Sequence, residues 1–413
     1  MVAKAYGEFD SNGRQAPLLA SGHPQVSATR RAGQSSGRLE VMLGSNLRER
    51  LEGRTPEMVQ HLGEFVNTES PSNEVECLSR SAQFLHDLMV DLLGTAPRIV
   101  TSEKGPHVHW SGGGSPKVLI VGHHDTVFPL GTVASRPFTV DGDKACGPGV
   151  FDMKGGIIQV IYALNALEDV SHVEVLITAD EEIGSYASRE LIEERALAAG
   201  AVLVLEPAGD GDALKVGRKG VGTFVVDITG RAAHAGLEPE KGVNALMELA
   251  HLVPQIAAIA RPDLGTTVTP TVASAGSVEN VVPAAARIIV DTRVVLPEEK
   301  SRVEAALHSL VANTPGATVR VSGSINRPPM HESAAQKLFA LAERVAPEVG
   351  IDSIAGISVG GGSDGNFTAA LGIPTLDGLG ACGAGAHADH EHVKISKMGE
   401  RSALVAALVA ALA

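Results

Sequence analysis

The chain has 413 residues, a formal net charge of −14 and only 3% aromatic residues. That length exceeds one comfortable hydrophobic core and predicts two domains. The negative charge, with no clustered Lys/Arg stripe and few stacking side chains, argues against nucleic acid and anionic membrane as partners.

Cys77, Cys146 and Cys382 are too few for a disulfide framework and suit a reducing compartment. The N-terminal segment has no apolar core of signal-peptide length, and no stretch approaches a membrane span. A cytoplasmic location is therefore expected. Residues 1–50 are expected to be a loose leader, Gly-, Ser-, Gln- and Arg-rich over their first part and without periodicity.

Helices are predicted over 56–68 and 74–94, the second closing on Gly94. "PRIVTS" reads as a strand. "PKVLIVGHHDTV" contains a clearer one, because Val118-Leu119-Ile120-Val121 is continuous and branched as in a buried parallel sheet. "GGIIQVIYALNAL" then reads as a helix, "HVEVLITA" as a strand, "SYASRELIEERALAAG" as a helix and "AVLVLEP" as a strand. This alternation predicts an α/β domain with a mainly parallel sheet and helices on both faces. At about 216 the rhythm becomes β-α-β-β-α-β, the split βαβ pattern of a small α+β domain. The expected division is a first domain over 51–215, an inserted α+β domain over 216–325, and the return of the first domain over 326–413. The return holds a helix at 331–347, a strand at "IAGISVG", a helix near 366–371, a short strand at "GIPTLD" and the closing helix "SKMGERSALVAALVAAL".

In "ITADEEIGS", an apolar run ends in three consecutive acids, Asp180, Glu181 and Glu182. Like charges that close raise one another's cost of ionisation, so a compensating cation is a natural partner. Other polar residues also follow predicted parallel strands, where sites of open α/β sheets gather. They are His123, His124 and Asp125 of "LIVGHHDT", Asp152 of "GPGVFDMKGG", Glu206 of "VLVLEP", and His387, His390, Glu391 and His392 of "GAHADHEH". Mixed imidazole and carboxylate donors suit Zn²⁺ or a similar divalent ion. His123 can bind through one nitrogen while Asp125 fixes its tautomer. Asp152 can bridge with its two oxygens. Of Glu181 and Glu182, one can bind metal while the other serves as a base. Each residue also has a plain alternative: Asp152 a helix N-cap, His124 a packed histidine, "HADHEH" a surface loop.

Together "GHHDTVFPLG", "GPGVFDMKGG", "TADEEIGS", "EP", "GRAAHAG", "NVVP", "DTR" and "GGSDGNF" resemble, in order, the zinc peptidase family of bacterial glutamate carboxypeptidase, aminoacylases, acetylornithine deacetylase and succinyl-diaminopimelate desuccinylase. The resemblance runs from about 50 to the C-terminus. It implies a two-metal hydrolase that cleaves an amide or peptide bond and releases a C-terminal amino acid, or an N-acyl-amino-acid amidohydrolase. The implied cofactors are two divalent ions, Zn²⁺ first, with Co²⁺ or Mn²⁺ able to share the ligands. His123 and Glu206 would hold one ion, His387 and Glu182 the other, with Asp152 bridging. Glu181 would be the general base and Asp125 the orienter of His123. The 216–325 domain would be a lid through which a homodimer forms, with His234 reaching the neighbouring subunit's site. Asn280 would lie near the substrate, a small peptide or N-acyl amino acid, and Arg293 and Arg327 would hold its carboxylate. The chain departs from the pattern in its extra His390 and His392, and in Cys146, where an aromatic residue is frequent.

Two other readings compete. "GGSDG" at 361–365 fits a G-x-S-x-G elbow with Ser363 as nucleophile, and Asp377 or Asp389 and His390 follow in order. A catalytically inert binding homologue is the other.

Overall fold

The computed structural model describes residues 46–413. Most of the expected leader lies outside that range. Its last five residues, 46–50, are helical instead of loose. Arg48 there bonds to Glu52 and Glu400, both at 2.7 Å, and to the Gly350 carbonyl at 2.7 Å.

In chain order the first strands are β1 (Arg98–Val100), β2 (His107–Ser111), β3 (Val118–His123), β4 (Thr139–Asp141), β5 (Lys144–Cys146), β6 (Val173–Thr178), β7 (Val202–Val204) and β8 (Leu214–Arg218). The inserted part contributes β9 (Gly220–Thr229), β10 (Thr267–Ala275), β11 (Ala285–Val294) and β12 (Thr318–Arg327). After it come β13 (Gly356–Val359), β14 (Thr375–Leu376), β15 (Gly383–Ala384) and β16 (His392–Lys394).

The central sheet runs β1-β2-β6-β3-β7-β14. Its inner pairs, β6 with β3, β3 with β7 and β7 with β14, are parallel, while β2 is antiparallel to β6. All six residues of β3 are buried. Val118 and Ile120 join the core with the helices Val75–Leu93, Gly155–Asn165 and Met398–Ala411. Leu119 and Val121 pack instead with Ile192 of the helix Arg189–Ala199 and Phe367 of Gly365–Ala370. Successive side chains point to opposite faces, so both faces carry helices and the run contains no polar residue. Helix Gly155–Asn165 presses close to the strand ends: a Cβ on Gly156 would lie 2.6 Å from the Leu205 carbonyl oxygen.

The insertion folds as a four-stranded antiparallel sheet, β10-β11-β9-β12. Phe224, Val226 and Ile228 alternate inward along β9 and pack with Leu252, Ile256, Val303 and Leu307 of its two helices. Helix Ala245–Ala257 starts where the Asn244 side chain accepts the amides of Leu246 and Met247. Arg218 and Met330 exchange backbone hydrogen bonds of 2.9 and 3.0 Å, tying the outgoing chain to the returning one.

Some expectations change. The helix predicted from "SYAS" begins only at Arg189, because Asp180 accepts the Ala187 amide at 2.7 Å and holds the preceding residues in a turn. β2 and the small sheet β15-β16-β5-β4 are additions. β4, β5, β15 and β16 are two or three residues long and lack the continuous apolar run that marks β3, β6 and β7.

Candidate metal centre

β3, β6 and β7 are parallel neighbours, so their C-terminal ends meet at one edge. β3 ends on His123. Glu181 and Glu182 follow β6 and Glu206 follows β7. Asp152 comes from the turn before helix Gly155–Asn165, and His387 from the loop between β15 and β16. Gly149 opens the Asp152 turn at φ +74°, and a Cβ there would lie 2.7 Å from Thr126 Cγ2.

Asp152 stands between two imidazoles. Its Oδ1 is 3.2 Å from His123 Nε2, and its Oδ2 is 3.3 Å from His387 Nε2. Glu206 Oε1 is 3.7 Å from His123 Nε2, and Glu182 Oε1 is 3.1 Å from His387 Nε2. Two overlapping clusters result, His123–Asp152–Glu182 and His123–Glu181–Glu206, in each of which one donor atom per residue lies within 4.8 Å of the others. Glu181 thus sits within ligand reach of a cation held by His123 and Glu206.

Burial raises the pKa of Glu181, Glu182 and Glu206. Burial disfavours protonated His123, yet hydrogen bonds to the Asp125 and Asp152 carboxylates hold it well above the ordinary value. Hydrogen bonds to Asp152 and Glu182 push His387 up to about 10. His387 also occupies the left-handed region at φ +63°, a conformation uncommon for residues other than glycine. Protonated, the two rings offset the acids; neutral, they are nitrogen ligands. Imidazoles and carboxylates in two overlapping sets, gathered in one mostly buried cleft, fit a pair of divalent cations.

The neighbouring residues sort into supports. Asp125 is fully buried and accepts the amides of Glu181 and Glu182 at 3.2 Å each, and the Ser72 hydroxyl at 2.8 Å. His123 Nδ1 lies 3.0 Å from the Asp125 backbone oxygen and 3.4 Å from its carboxylate. Asp180 turns into the Ala187 amide, so the third acid of the triplet serves the backbone. His124 is a packed histidine between Ser81 Oγ at 2.9 Å and the Pro106 carbonyl at 3.0 Å. His390 and His392 contact each other, His392 Nδ1 lying 3.0 Å from the His390 carbonyl.

One support, Arg218, escaped sequence reasoning, and a second, Glu391, was named there only as one of the polar residues of "GAHADHEH". Arg218 is buried and reaches Glu206 Oε2 at 3.1 Å and both carboxylate oxygens of Asp377 at 2.6 and 3.1 Å. Glu391 accepts the amides of Gly149, Phe151 and Asp152 at 2.9, 2.9 and 3.0 Å. Burial pushes Glu391 up to about 7 against those donors. Glu391 lies four residues after His387, within the "GAHADHEH" cluster that the sequence marks, and the structure gives it the role of holding the Asp152 turn.

A recess of about 340 Å³ opens beside the cluster, lined by Glu181, Glu182, Tyr186, Arg293, Asn326 and Arg327 among others. Arg327 Nη2 donates to Glu181 Oε1 at 2.8 Å and to Ser185 Oγ at 3.0 Å. Its Nη1 is buried without a hydrogen-bond partner among the described residues. Arg293 is forked onto Asp291 at 3.0 and 2.9 Å. In the inserted part the segments of His234 and Asn280 run side by side, the Ala235 amide donating to the Asn280 carbonyl at 2.9 Å and His234 bridging to Val281. His234 Nδ1 accepts the amides of Gly236 and Leu237 at 3.1 Å each. Among the described residues neither His234 nor Asn280 makes a side-chain hydrogen bond or ion pair to the cluster.

The Ser363 reading is corrected. Ser363 is fully buried, and its hydroxyl donates to Asp377 at 2.6 Å, not to a histidine. Asp377 is itself engaged by Arg218, and Asp389 pairs with Arg136 at 3.3 Å. A nucleophile needs exposure and a base, and Ser363 has neither.

Residues 119–411 match the family model described as Peptidase family M20/M25/M40. The chain is 34% identical over 375 residues to carboxypeptidase G2 of Pseudomonas sp. (strain RS-16), covering 86% of this chain and 89% of that one. It is 30% identical over 312 residues to a succinyl-diaminopimelate desuccinylase of Rhizorhabdus wittichii, covering 69% and 78%. In fold it is similar to the crystal structure of an M20 family metallo-carboxypeptidase, Sso-CP2, from Sulfolobus solfataricus. That likeness has a TM-score of 0.70 at 19% identity, over 86% of this chain and 98% of that one. The chain belongs to peptidase family M20/M25/M40 and is a two-metal hydrolase of peptide or amide bonds.

Proposed function

We propose that the chain cleaves the amide bond to a C-terminal amino acid, glutamate first among them, from a small peptide or an N-acyl amino acid. The observation that carries this reading is the recess with Arg293 and Arg327 opening directly beside the carboxylate–imidazole cluster. Likeness to proteins named carboxypeptidase and desuccinylase supports the same reaction class.

In this reading His123, Glu206 and Asp152 would hold one divalent ion, Zn²⁺ first, and His387, Glu182 and Asp152 would hold the other. Such a pair supplies Lewis acidity to a carbonyl and acidifies water. Glu181 takes the proton of the attacking water and passes it to the departing amine. Its burial raises its proton affinity, and the Arg327 guanidinium opposes that rise, which keeps it able both to accept and to release. Asp125 holds the His123 ring. Arg293 and Arg327 bind the free carboxylate of the amino acid that leaves, Arg327 through its unpartnered Nη1.

A homodimer through the lid is part of the proposal. β10 leaves one edge of the lid sheet unpaired, and His234 makes no bond to its own cluster. His234 would then polarise the scissile carbonyl in the neighbouring protomer, with Asn280 beside it. No helix among the described residues is long and apolar enough to cross a membrane. The three free cysteines accord with a cytoplasmic location.

The test combines elemental analysis of the purified protein with turnover of N-acyl glutamates and glutamate-terminated dipeptides. Chelation is expected to abolish turnover and Zn²⁺ to restore it. Full turnover by metal-stripped protein would end the reading.

A further inference from the structure

Two recesses flank the segment Glu182–Ile183, and both residues line each of them. One is the arginine-bearing recess already described. The other, about 430 Å³, is walled by Pro71, Val127, Phe128, Pro129, Leu130 and Ile183. An amide substrate has two sides, and Glu182 of the cluster lines both recesses. We propose that the second recess is the acyl subsite, and that it takes an uncharged apolar acyl or aroyl group and rejects an acidic one such as succinyl. This rests on the proposed function above, with the substrate carboxylate held on the arginine side.

The chemistry of the walls carries the assignment. Among the described residues no Arg or Lys lines this recess, whereas Glu74 and Glu182 do. Arg136 lies close by, with its guanidinium 4.3 Å over the Phe128 ring. It points onto the Ala388 carbonyl at 2.8 Å and Asp389 at 3.3 Å, on the loop that carries His387. Val127 and Leu130 are 42% and 55% exposed, an unpartnered apolar patch beside a cleft of acids. Apolar surface grouped at a site lip marks a contact surface. A succinyl carboxylate there would lose water without gaining a cation and would face two acids.

The patch is also held in register with the cluster. Val127 comes two residues after Asp125. The Thr126 amide donates to the Ser70 carbonyl at 2.9 Å, and Ser72 Oγ donates to the Asp125 carboxylate at 2.8 Å. The Glu69 carboxylate accepts the amides of Gly131 and Val133, each at 3.0 Å, fixing the far end. An acyl group seated against Val127 and Leu130 is therefore placed by the same backbone that places His123.

The experiment compares kcat/KM of the Zn²⁺-loaded full chain for N-benzoyl-, N-hexanoyl- and N-succinyl-glutamate, which share one leaving group. The apolar pair is expected to exceed the succinyl substrate by about 10-fold or more. Leu130→Lys and Val127→Lys, both at exposed positions, are expected to lower the apolar substrates and raise the succinyl one, with metal content unchanged. Succinyl-glutamate cleaved as well as or better than the others overturns the proposal. So does a substrate ratio that neither lysine variant moves. Failure on all three, together with failure on glutamate-terminated dipeptides, strikes the proposed function itself and takes this inference with it.

Discussion

One carboxylate oxygen of Glu206 faces His123 at 3.7 Å while the other accepts from Arg218 at 3.1 Å. Arg218 also forks onto Asp377, so two buried acids depend on one guanidinium. Breaking a buried charge pair by removing one partner costs about 3–5 kcal/mol, because the charge left behind has no water. Arg218→Ala is accordingly expected to lower stability in urea by that order and to weaken Zn²⁺ binding. Arg218→Lys should recover charge but not the fork, giving intermediate metal affinity. Unchanged Zn²⁺ affinity in a folded Arg218→Ala protein would show that Glu206 does not need this support. The sequence displayed "VGRKG" at a strand end but nothing that ties its arginine to an acid twelve residues earlier.

Among the local elements, the turn over 149–152 decides whether Asp152 can face two ways. Three of its backbone amides converge on Glu391, a residue about 240 positions away. Those amides precede the helix Gly155–Asn165 and lack helical partners of their own kind. Glu391→Ala should release the turn and lower metal affinity by about 10–100-fold, the usual effect of removing a ligand's outer support. Isothermal titration with Zn²⁺ on the stripped protein checks it, and wild-type affinity would assign Glu391 to packing alone. The strands that carry His123, Glu181, Glu182 and Glu206 were legible because their apolar runs are continuous and end abruptly in polar residues. β5 and β16, which bring Cys146 and His392 together, were not, because "KAC" and "HVK" hold no apolar run.

Across the whole molecule, the lid reaches the cluster through Arg327, at the last residue of β12, which bonds Glu181 at 2.8 Å. His234, on the same lid, reaches nothing in its own cluster, and this separation is what the proposed dimer explains. Glu181→Gln and His234→Ala should each lose nearly all turnover as homodimers while keeping metal. Mixed and re-equilibrated, they should regain about a quarter of wild-type turnover, since in a two-fold dimer half the assemblies would carry one complete site. No regain on mixing, with heterodimers demonstrated, would place His234 in its own subunit's service or outside the reaction.

What the sequence determined by itself is the α/β frame with its insertion and the kinds of residue at the strand tips. Hydrophobic runs and their ends are local properties, and parallel strands deliver their C-terminal ends to a single edge. Only the tertiary structure decided the direction each of those residues takes. Adjacent acids diverge, with Asp180 spent on a backbone amide while Glu182 faces His387. Ser363, plausible as a nucleophile in its motif, is sealed against Asp377. Such outcomes rest on contacts between segments far apart in the chain, whose geometry is set by packing and leaves no trace in local spacing.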